Sequence, residues 1–226
     1  MDTSRFAAEL AELFDDFPRS RHPRGRRFDD LVDAVPNLAT ENTLALVNLA
    51  ASRLGPDESY VEAGTYMGAS LIAAARGNPG LDLVAIDNFR FRPMTVAGRS
   101  LPAASRAAFE ANLERFDVQA TLLEGNSLEV LGSGALAGRK VGVFYYDACH
   151  DYEPQLEALR LVEPHLTDEA LLIVDDGDWE QVHRAVHDYL AQQPRARLLV
   201  EVAGAGGDQE WWWDGMAAMA WNAGER

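Results

Sequence analysis

Short, uninterrupted apolar runs alternate along most of the chain with longer segments of helical period. The runs "SYVEAG", "LDLVAID", "QATLLEG", "VGVFYYD" and "ALLIVDD" are rich in branched and aromatic residues and end on Gly or Asp, the pattern of strands buried on both faces. Between them, "ASLIAAARG" and the segments near 103–116, 152–166 and 179–192 carry apolar residues at helical spacing. Strand then helix, repeated, predicts a parallel sheet covered on both faces. The C-terminal pattern departs from this. "ARLLVEVAG" and "EWWWDGMAAMAW" are joined by the Gly-rich "AGAGGDQ", too short for a helical crossover, which predicts an antiparallel hairpin at the sheet edge. The expected fold class is α/β, with a seven-stranded, mostly parallel sheet, helices on both faces and a C-terminal antiparallel hairpin.

Ahead of the first strand, residues 3–16 have the pattern of an amphipathic helix, and Pro18, Pro23 and Gly25 break the next stretch into an irregular, basic connector. "TENTLALVNLAASRLG" predicts a further helix, N-capped by Thr40 and stopped by Gly55, with Leu44, Val47, Ala51 and Leu54 along one face. The chain therefore divides into an N-terminal helical and basic appendage over 1–39 and a main domain over 40–226. The segment 89–105, "FRFRPMTVAGRSLPAAS", is long for an α/β connection and predicts a mobile lid over a substrate, with Arg90, Arg92 and Arg99 either meeting acidic substrate groups or simply solvated.

Composition narrows the function classes. At 226 residues the chain can bury a sizeable core without staples. A formal net charge of −16 argues against a nucleic-acid binder, whose affinity comes from clustered Lys and Arg. Arg19, Arg21, Arg24, Arg26 and Arg27 form a local exception that could greet an anionic substrate or a membrane surface, but a solvated arm pairing with the acidic body is the plainer reading. Cys149 is the single cysteine, so no disulfide can form within the chain. The N-terminus lacks the basic start and apolar centre of a secretory signal, and no run approaches a membrane span; a soluble, cytoplasmic protein without membrane or nucleic-acid partners is expected.

The candidate chemistry gathers at the ends of the strands. In "YVEAGTYMGAS" the first strand closes on Glu62, and Gly64 and Gly68 let main chain approach a ligand at a helix start. This is not the dinucleotide fingerprint G-x-G-x-x-G, which speaks against an NAD-linked oxidoreductase. The second strand ends on Asp87, which could take two ribose hydroxyls or serve as a helix cap. "LLEGNS" offers Asn126 and Ser127 to an adenine edge, or makes an ordinary Asx turn. Together these ends describe a nucleoside-shaped crevice at the carboxyl edge of the sheet. Asp147, Asp175 and Asp176 end two further strands, and three carboxylates there suit Mg²⁺, unless Asp176 or Asp178 caps the next helix. His150 is placed to act as a general base or as an ordinary hydrogen-bonding residue. His165, His183 and His187 fall in helical patterns; the last two, four apart, could bind metal only with a third ligand, and none is visible, so all three are assigned to a solvated face. Cys149 is read as a small packing residue. In "WWW", strand alternation would send Trp212 to the opposite side from Trp211 and Trp213, for sugar stacking, sheet packing or a dimer surface.

On "VEAGTYMGAS", "AIDNF", "DACHDYE" and "LLIVDD" the chain resembles class I S-adenosylmethionine-dependent methyltransferases, and more narrowly the metal-dependent O-methyltransferases of the macrocin or novobiocin sugar type and of the catechol type. The resemblance spans roughly residues 40–222 and implies a Rossmann-like sheet. It implies that Glu62, Gly64, Thr65 and Gly68 shape the cofactor turn, that Ser70 meets the methionine carboxylate, and that Asp87 and Asn88 lie at the ribose. Asn126 and Ser127 would lie near adenine, and Asp147 beside the cofactor. It further implies Mg²⁺, or another divalent cation, on Asp147, Asp175 and Asp176, with His150 or Asp147 as the base. The expected activity is methyl transfer from S-adenosylmethionine to a hydroxyl of a small polyhydroxylated metabolite, a sugar or glycosylated natural product ahead of a vicinal diphenol. A non-catalytic cofactor-binding scaffold, which would have no need of the Asp147, His150, Asp175 and Asp176 set, is the competing reading, and a homodimer is an assembly the tryptophan run allows.

Overall fold

The computed structural model describes residues 1–25, 27–96, 98–204 and 211–224. Its seven-stranded sheet has the order β5-β2-β1-β6-β7-β9-β8, built from β1 (Ser59–Ala63), β2 (Asp82–Asp87), β5 (Thr121–Glu124), β6 (Val141–Tyr146), β7 (Leu166–Asp175), β8 (Ala196–Val202) and β9 (Met216–Asn222). The first five are parallel, and β9 runs antiparallel between β7 and β8, so the C-terminal hairpin is present with its second strand inserted inside the edge. The segment 205–210, in the middle of that hairpin, lies outside the described residues, as do Arg26 and Ala97.

Alternation along the strands builds two cores. Tyr60, Val143, Tyr145, Leu171 and Ile173 face one side, while Val61, Phe144, Tyr146, Leu172 and Val174 face the other. The first side is covered by α1 (Thr3–Glu12), α2 (Asp29–Ala34), α3 (Glu41–Ala51), α4 (Ala69–Ala75) and α5 (Arg106–Arg115). The second is covered by α6 (Ser127–Gly132), α7 (Tyr152–Val162) and α8 (Glu180–Gln192). Among the described residues no helix is long and apolar enough to cross a membrane.

Three sequence expectations change. The helix capped by Thr40, whose hydroxyl accepts from Thr43 N–H, is buried all round rather than along one face, and it ends at Ala51, before Gly55. Its polar side chains hold neighbouring main chain: Asn48 Nδ2 donates to Ala73 O (2.8 Å) and Arg76 O (2.7 Å) at the end of α4, and Asn42 Nδ2 donates to Ser20 O (2.8 Å). Second, residues 1–39 are not peripheral, because Phe6, Leu10, Phe14, Phe28, Leu31 and Val35 join the first core, with α1 packed on α3 and α2 on α4. Third, Trp211–Trp213 precede β9 instead of lying in it. Strand alternation therefore does not govern them. Trp212 is 1 % exposed, packs on Phe14 and Phe17 at 5.4 and 5.9 Å between ring centroids, and donates from Nε1 to Pro18 O.

In the basic connector Arg24 pairs with Asp15 at 2.8 Å, within the N-terminal segment itself. The 89–105 segment carries a small antiparallel hairpin, β3 (Met94–Val96) with β4 (Arg99–Leu101). Because Trp212 locks the N-terminal segment to the approach of β9, Trp212→Ala is expected to destabilise the whole domain by roughly 3–5 kcal/mol, the range for emptying a large aromatic site. Denaturant unfolding followed by circular dichroism checks this. A loss under about 1 kcal/mol would mean the contact is peripheral.

Candidate active site

The direction of strand addition reverses between β1 and β6: the chain builds outward from β1 to β2 and β5, then returns to lay β6 on the other side. Open α/β sheets leave their ligand crevice at such a point. Here the two strand ends touch. Asp147 N–H donates to Ala63 O at 2.8 Å, and a Cβ on Gly64 would sit 1.8 Å from Asp147 O. With φ at +94° as well, only glycine fits the position.

On the β2–β5 side lies a cavity of about 240 Å³ lined by Gly64, Tyr66, Asp87, Asn88, Asn126 and Ser127, among others. Asp87 Oδ2 accepts from Tyr66 N–H (2.7 Å) and Oδ1 from Phe89 N–H (2.6 Å), which fixes the carboxylate and leaves each oxygen further lone-pair capacity. Burial raises its pKa, against the lowering effect of those backbone donors. Asn126 N-caps α6, its Oδ1 taking Leu128 and Glu129 N–H, so only its amide NH₂ remains to meet a ligand. Cys149 forms part of this wall rather than packing in the core.

A second cavity, about 370 Å³, opens on the β6–β7 side and shares Gly64, Tyr66, Phe91, Asp147 and Ala148 with the first. Thr65, Ser70, His150, Asp175 and Asp176 line it. Asp147, His150 and Asp176 bring one ligand atom each to within 4.8 Å of one another. His150 Nε2 lies 2.7 Å from Asp176 Oδ2 and 3.5 Å from Asp147 Oδ1, yet has no aligned hydrogen bond. Asp175 sits behind them, accepting from the buried Tyr145 hydroxyl and from Asp176 N–H. Neither Asp176 nor Asp178 caps α8, whose N-cap is Trp179 without a side-chain bond; Asp178 instead accepts from Gly204 N–H at 2.6 Å.

The charges in this pocket perturb one another. Desolvation raises Asp147 to about 6, opposed by contact with His150 and reinforced by Asp176. The surface Asp147 does expose faces the two cavities it lines. Asp175 is held well above its ordinary range by burial and by the Asp147 and Asp176 charges. Burial lowers His150, but contacts with Asp147 and Asp176 win and raise it to about 10, so it carries a proton at neutral pH while both carboxylates face it uncompensated.

Glu62 and Gly68 do not line either cavity. Glu62 is fully buried beneath the turn, accepting from Tyr60 Oη (2.9 Å) and Ser70 Oγ (2.7 Å), with Thr65 beside it. Ser70 thus spends its proton on Glu62 while exposing part of itself to the cavity. Gly68, φ +86°, packs on Phe109.

Of the aromatic and apolar wall, sequence reasoning missed Leu38, Tyr66 and Trp179, while Phe91 and Met94 come from the 89–105 segment and Trp213 from the tryptophan run. Tyr66 and Phe91 meet at 4.8 Å, Trp179 lies 5.0 Å from His150, and Arg99 lies over Trp213 at 5.9 Å. No motif marks these residues. Strain marks this part of the molecule instead, since Tyr66, Phe89, Asp176 and Trp213 all have φ between 49° and 56°, and Asp117 is the only other such non-glycine among the described residues. His183 and His187 do lie on an exposed helix face, but the third ligand that the sequence did not show is present, since Glu201 on β8 closes on both of them.

Sheet order, crevice position and strand-end acids together define a Rossmann-like α/β domain with a two-chambered site at its topological switch point. Residues 61–177, more than half of the chain, match the family described as "Methyltransferase domain", and the chain belongs to that family. Comparison with curated proteins found no match. Among solved structures the chain is similar to an O-methyltransferase from Bacillus cereus in complex with SAH, at 17% identity, covering 80% of this chain and 78% of that one, with a TM-score of 0.55. It is also similar to the O-methyltransferase of Streptomyces achromogenes involved in tomaymycin synthesis, in complex with SAM (18% identity, 99% and 91% covered, TM-score 0.58). A third is TDP-rhamnose 3'-O-methyltransferase of calicheamicin biosynthesis (18% identity, 98% and 94% covered, TM-score 0.53). At these identities the likeness shows the fold.

Glu62 gives a pH test in the ligand-free protein. Desolvation raises it from 4.5 to about 7, against the hydrogen bonds it accepts. A carboxyl whose folded pKa is raised gives most stability below its unfolded pKa and loses it as pH climbs to the folded one. Stability should therefore fall between pH 4.5 and 7, by about 3 kcal/mol at 1.36 kcal/mol per pKa unit, and level off above. Glu62→Gln should reduce the slope in denaturant titrations, most cleanly between pH 6 and 7, above the range in which the raised Asp147 also contributes; an unchanged slope would show that Glu62 is ionised throughout.

Proposed function

We propose that the protein is an S-adenosylmethionine-dependent O-methyltransferase acting on a hydroxyl of a small polyhydroxylated metabolite. The carrying observation is the convergence of Asp147, His150 and Asp176 in one chamber directly beside a second whose fixed carboxylate, Asp87, suits a ribose. The SAM- and SAH-bound structural neighbours support the cofactor assignment.

The cofactor would contribute a sulfonium methyl, already electrophilic. The chain's own task is then to hold and deprotonate an acceptor. Asp87 would take the ribose hydroxyls, and the Asn126 amide and Ser127 would stand at the base. Thr65 and Ser70 would border the methionine part, on a turn kept in shape by Gly64, Gly68 and Glu62.

The donor set fits a divalent cation, because oxygens of Asp147 and Asp176 converge with a buried Nε2 that has no aligned partner, and within the protein only the protonated His150 offsets their charge. Asp147 and Asp176 would hold it, with Asp175 behind and His150 at its side; Mg²⁺ is the choice that carboxylate ligands favour. When bound, such a cation lowers the pKa of an acceptor hydroxyl and orients it. Neutralising the two carboxylates also returns His150 toward its ordinary range, so a base role for His150 and a cation at this position go together. Without one, Asp147 is the available proton acceptor.

A sugar or glycosylated natural product is the first acceptor, in keeping with the TDP-rhamnose enzyme among the neighbours. A vicinal diphenol is the second, favoured by the walls of Leu38, Tyr66, Phe91, Met94, Trp179 and Trp213, which suit a ring or an apolar aglycone better than a free sugar.

Calorimetry should show S-adenosylmethionine binding and no NAD binding; the reverse sinks the proposal. Asp87→Ala should weaken cofactor binding by roughly 10- to 100-fold, the loss of about two hydrogen bonds. Methyl transfer to a panel of glycosides and catechols should stop with a strong chelator and return with Mg²⁺. His150→Ala should lower kcat by roughly 10²–10⁴-fold, whereas full activity would move the proton to Asp147.

A further inference from the structure

His183 and His187 stand one turn apart on α8, and Glu201 reaches them from the end of β8, the edge strand. The Glu201 Oε1 atom lies 3.7 Å from His183 Nε2 and 3.0 Å from His187 Nε2, with all three ligand atoms within 4.8 Å of one another. The two imidazoles overlap at 4.2 Å between centroids. Both rings therefore aim the same nitrogen at the same oxygen.

We propose that His183, His187 and Glu201 form a second metal site, for Zn²⁺ or a similar borderline transition metal, separate from the chamber described above and independent of the proposed reaction. Histidines at i and i+4 on one helix face present their nitrogens to a common point, and a carboxylate from an adjoining element completes a three-ligand set with an open fourth position. The spacing suits that ion. Tetrahedral zinc with bonds of about 2.0–2.2 Å sets its ligand atoms roughly 3.3–3.6 Å apart, and the two separations from Glu201 Oε1, 3.7 and 3.0 Å, straddle this. Two imidazoles and one carboxylate also select against Mg²⁺, which wants oxygen donors. The neighbouring cation does not compete, since Arg184 lies over the Tyr152 ring at 4.4 Å and faces Asp188.

Such an ion would tie the first turns of α8 to the sheet edge. His183 N–H donates to Trp179 O, so the pinned turn is the one that carries Trp179, a wall residue of the larger cavity.

Zn²⁺ titration by calorimetry, with Co²⁺ absorption in the visible as a geometric readout, tests the site on the full chain. Asp176→Asn removes a ligand of the other cluster and should leave the surface isotherm and the tetrahedral Co²⁺ bands intact. His183→Gln with His187→Gln, and separately Glu201→Gln, should weaken that site at least about tenfold and abolish the bands, without altering the circular dichroism of these exposed positions. A Zn²⁺ isotherm of the double variant superimposable on that of the parent protein overturns the proposal. Loss of all binding in Asp176→Asn alone overturns it as well, while leaving the methyltransferase reading untouched.

Discussion

Buried negative charge is the constraint around which this sheet edge is arranged. Glu62 and Asp175, both buried, and the half-buried Asp147 and Asp176 gather where β1, β6 and β7 end, crowding four carboxylates at one edge. The fold deals with each acid differently. Glu62 is enclosed by hydroxyl donors from Tyr60 and Ser70, Asp175 by Tyr145, and Asp147 and Asp176 share the imidazole of His150. The first two arrangements are complete within the protein. The third leaves a nitrogen close to its neighbours but unaligned with them, so it is the part of the edge that invites a ligand.

Much of this was legible in the sequence because strand ends are rigid and their residues can be read from period alone. "VGVFYYD" and "ALLIVDD" place Asp147 and Asp175 at the same edge once the strands are adjacent, and the structure pairs Tyr146 with Val174. What was not legible depends on contacts between distant segments. The helix after Thr40 reads as amphipathic from its own residues, yet residues 1–39 cover its outer side. The tryptophan run reads as strand because its neighbours are apolar, but Trp212 is drawn out of the strand by Phe14, Phe17 and Pro18 O. Glu201 could not be matched to His183 and His187 without knowing that β8 turns back along α8.

Backbone strain and chemistry coincide here. Tyr66, Asp176 and Trp213, all at positive φ, line the larger cavity, so three separate loops hold disfavoured conformations to aim side chains at one volume. The cost is sustained by well-packed strands immediately behind, where β6 is buried along its whole length. Polar and aromatic roles are also partitioned: acids come from strand ends, and ring walls come from the connections beyond them.

The N-terminal segment has two duties at once. Its helices pack on α3 and α4, and its last residues, Pro36 to Ala39, form part of the larger cavity's wall. Substrate range and folding stability are therefore linked through one stretch of chain. A lineage that remodels this wall to admit a bulkier acceptor draws on the same residues that keep the central helix dry, so new acceptor ranges should arise together with compensating changes in α1 and α2 rather than by exchange of the wall alone.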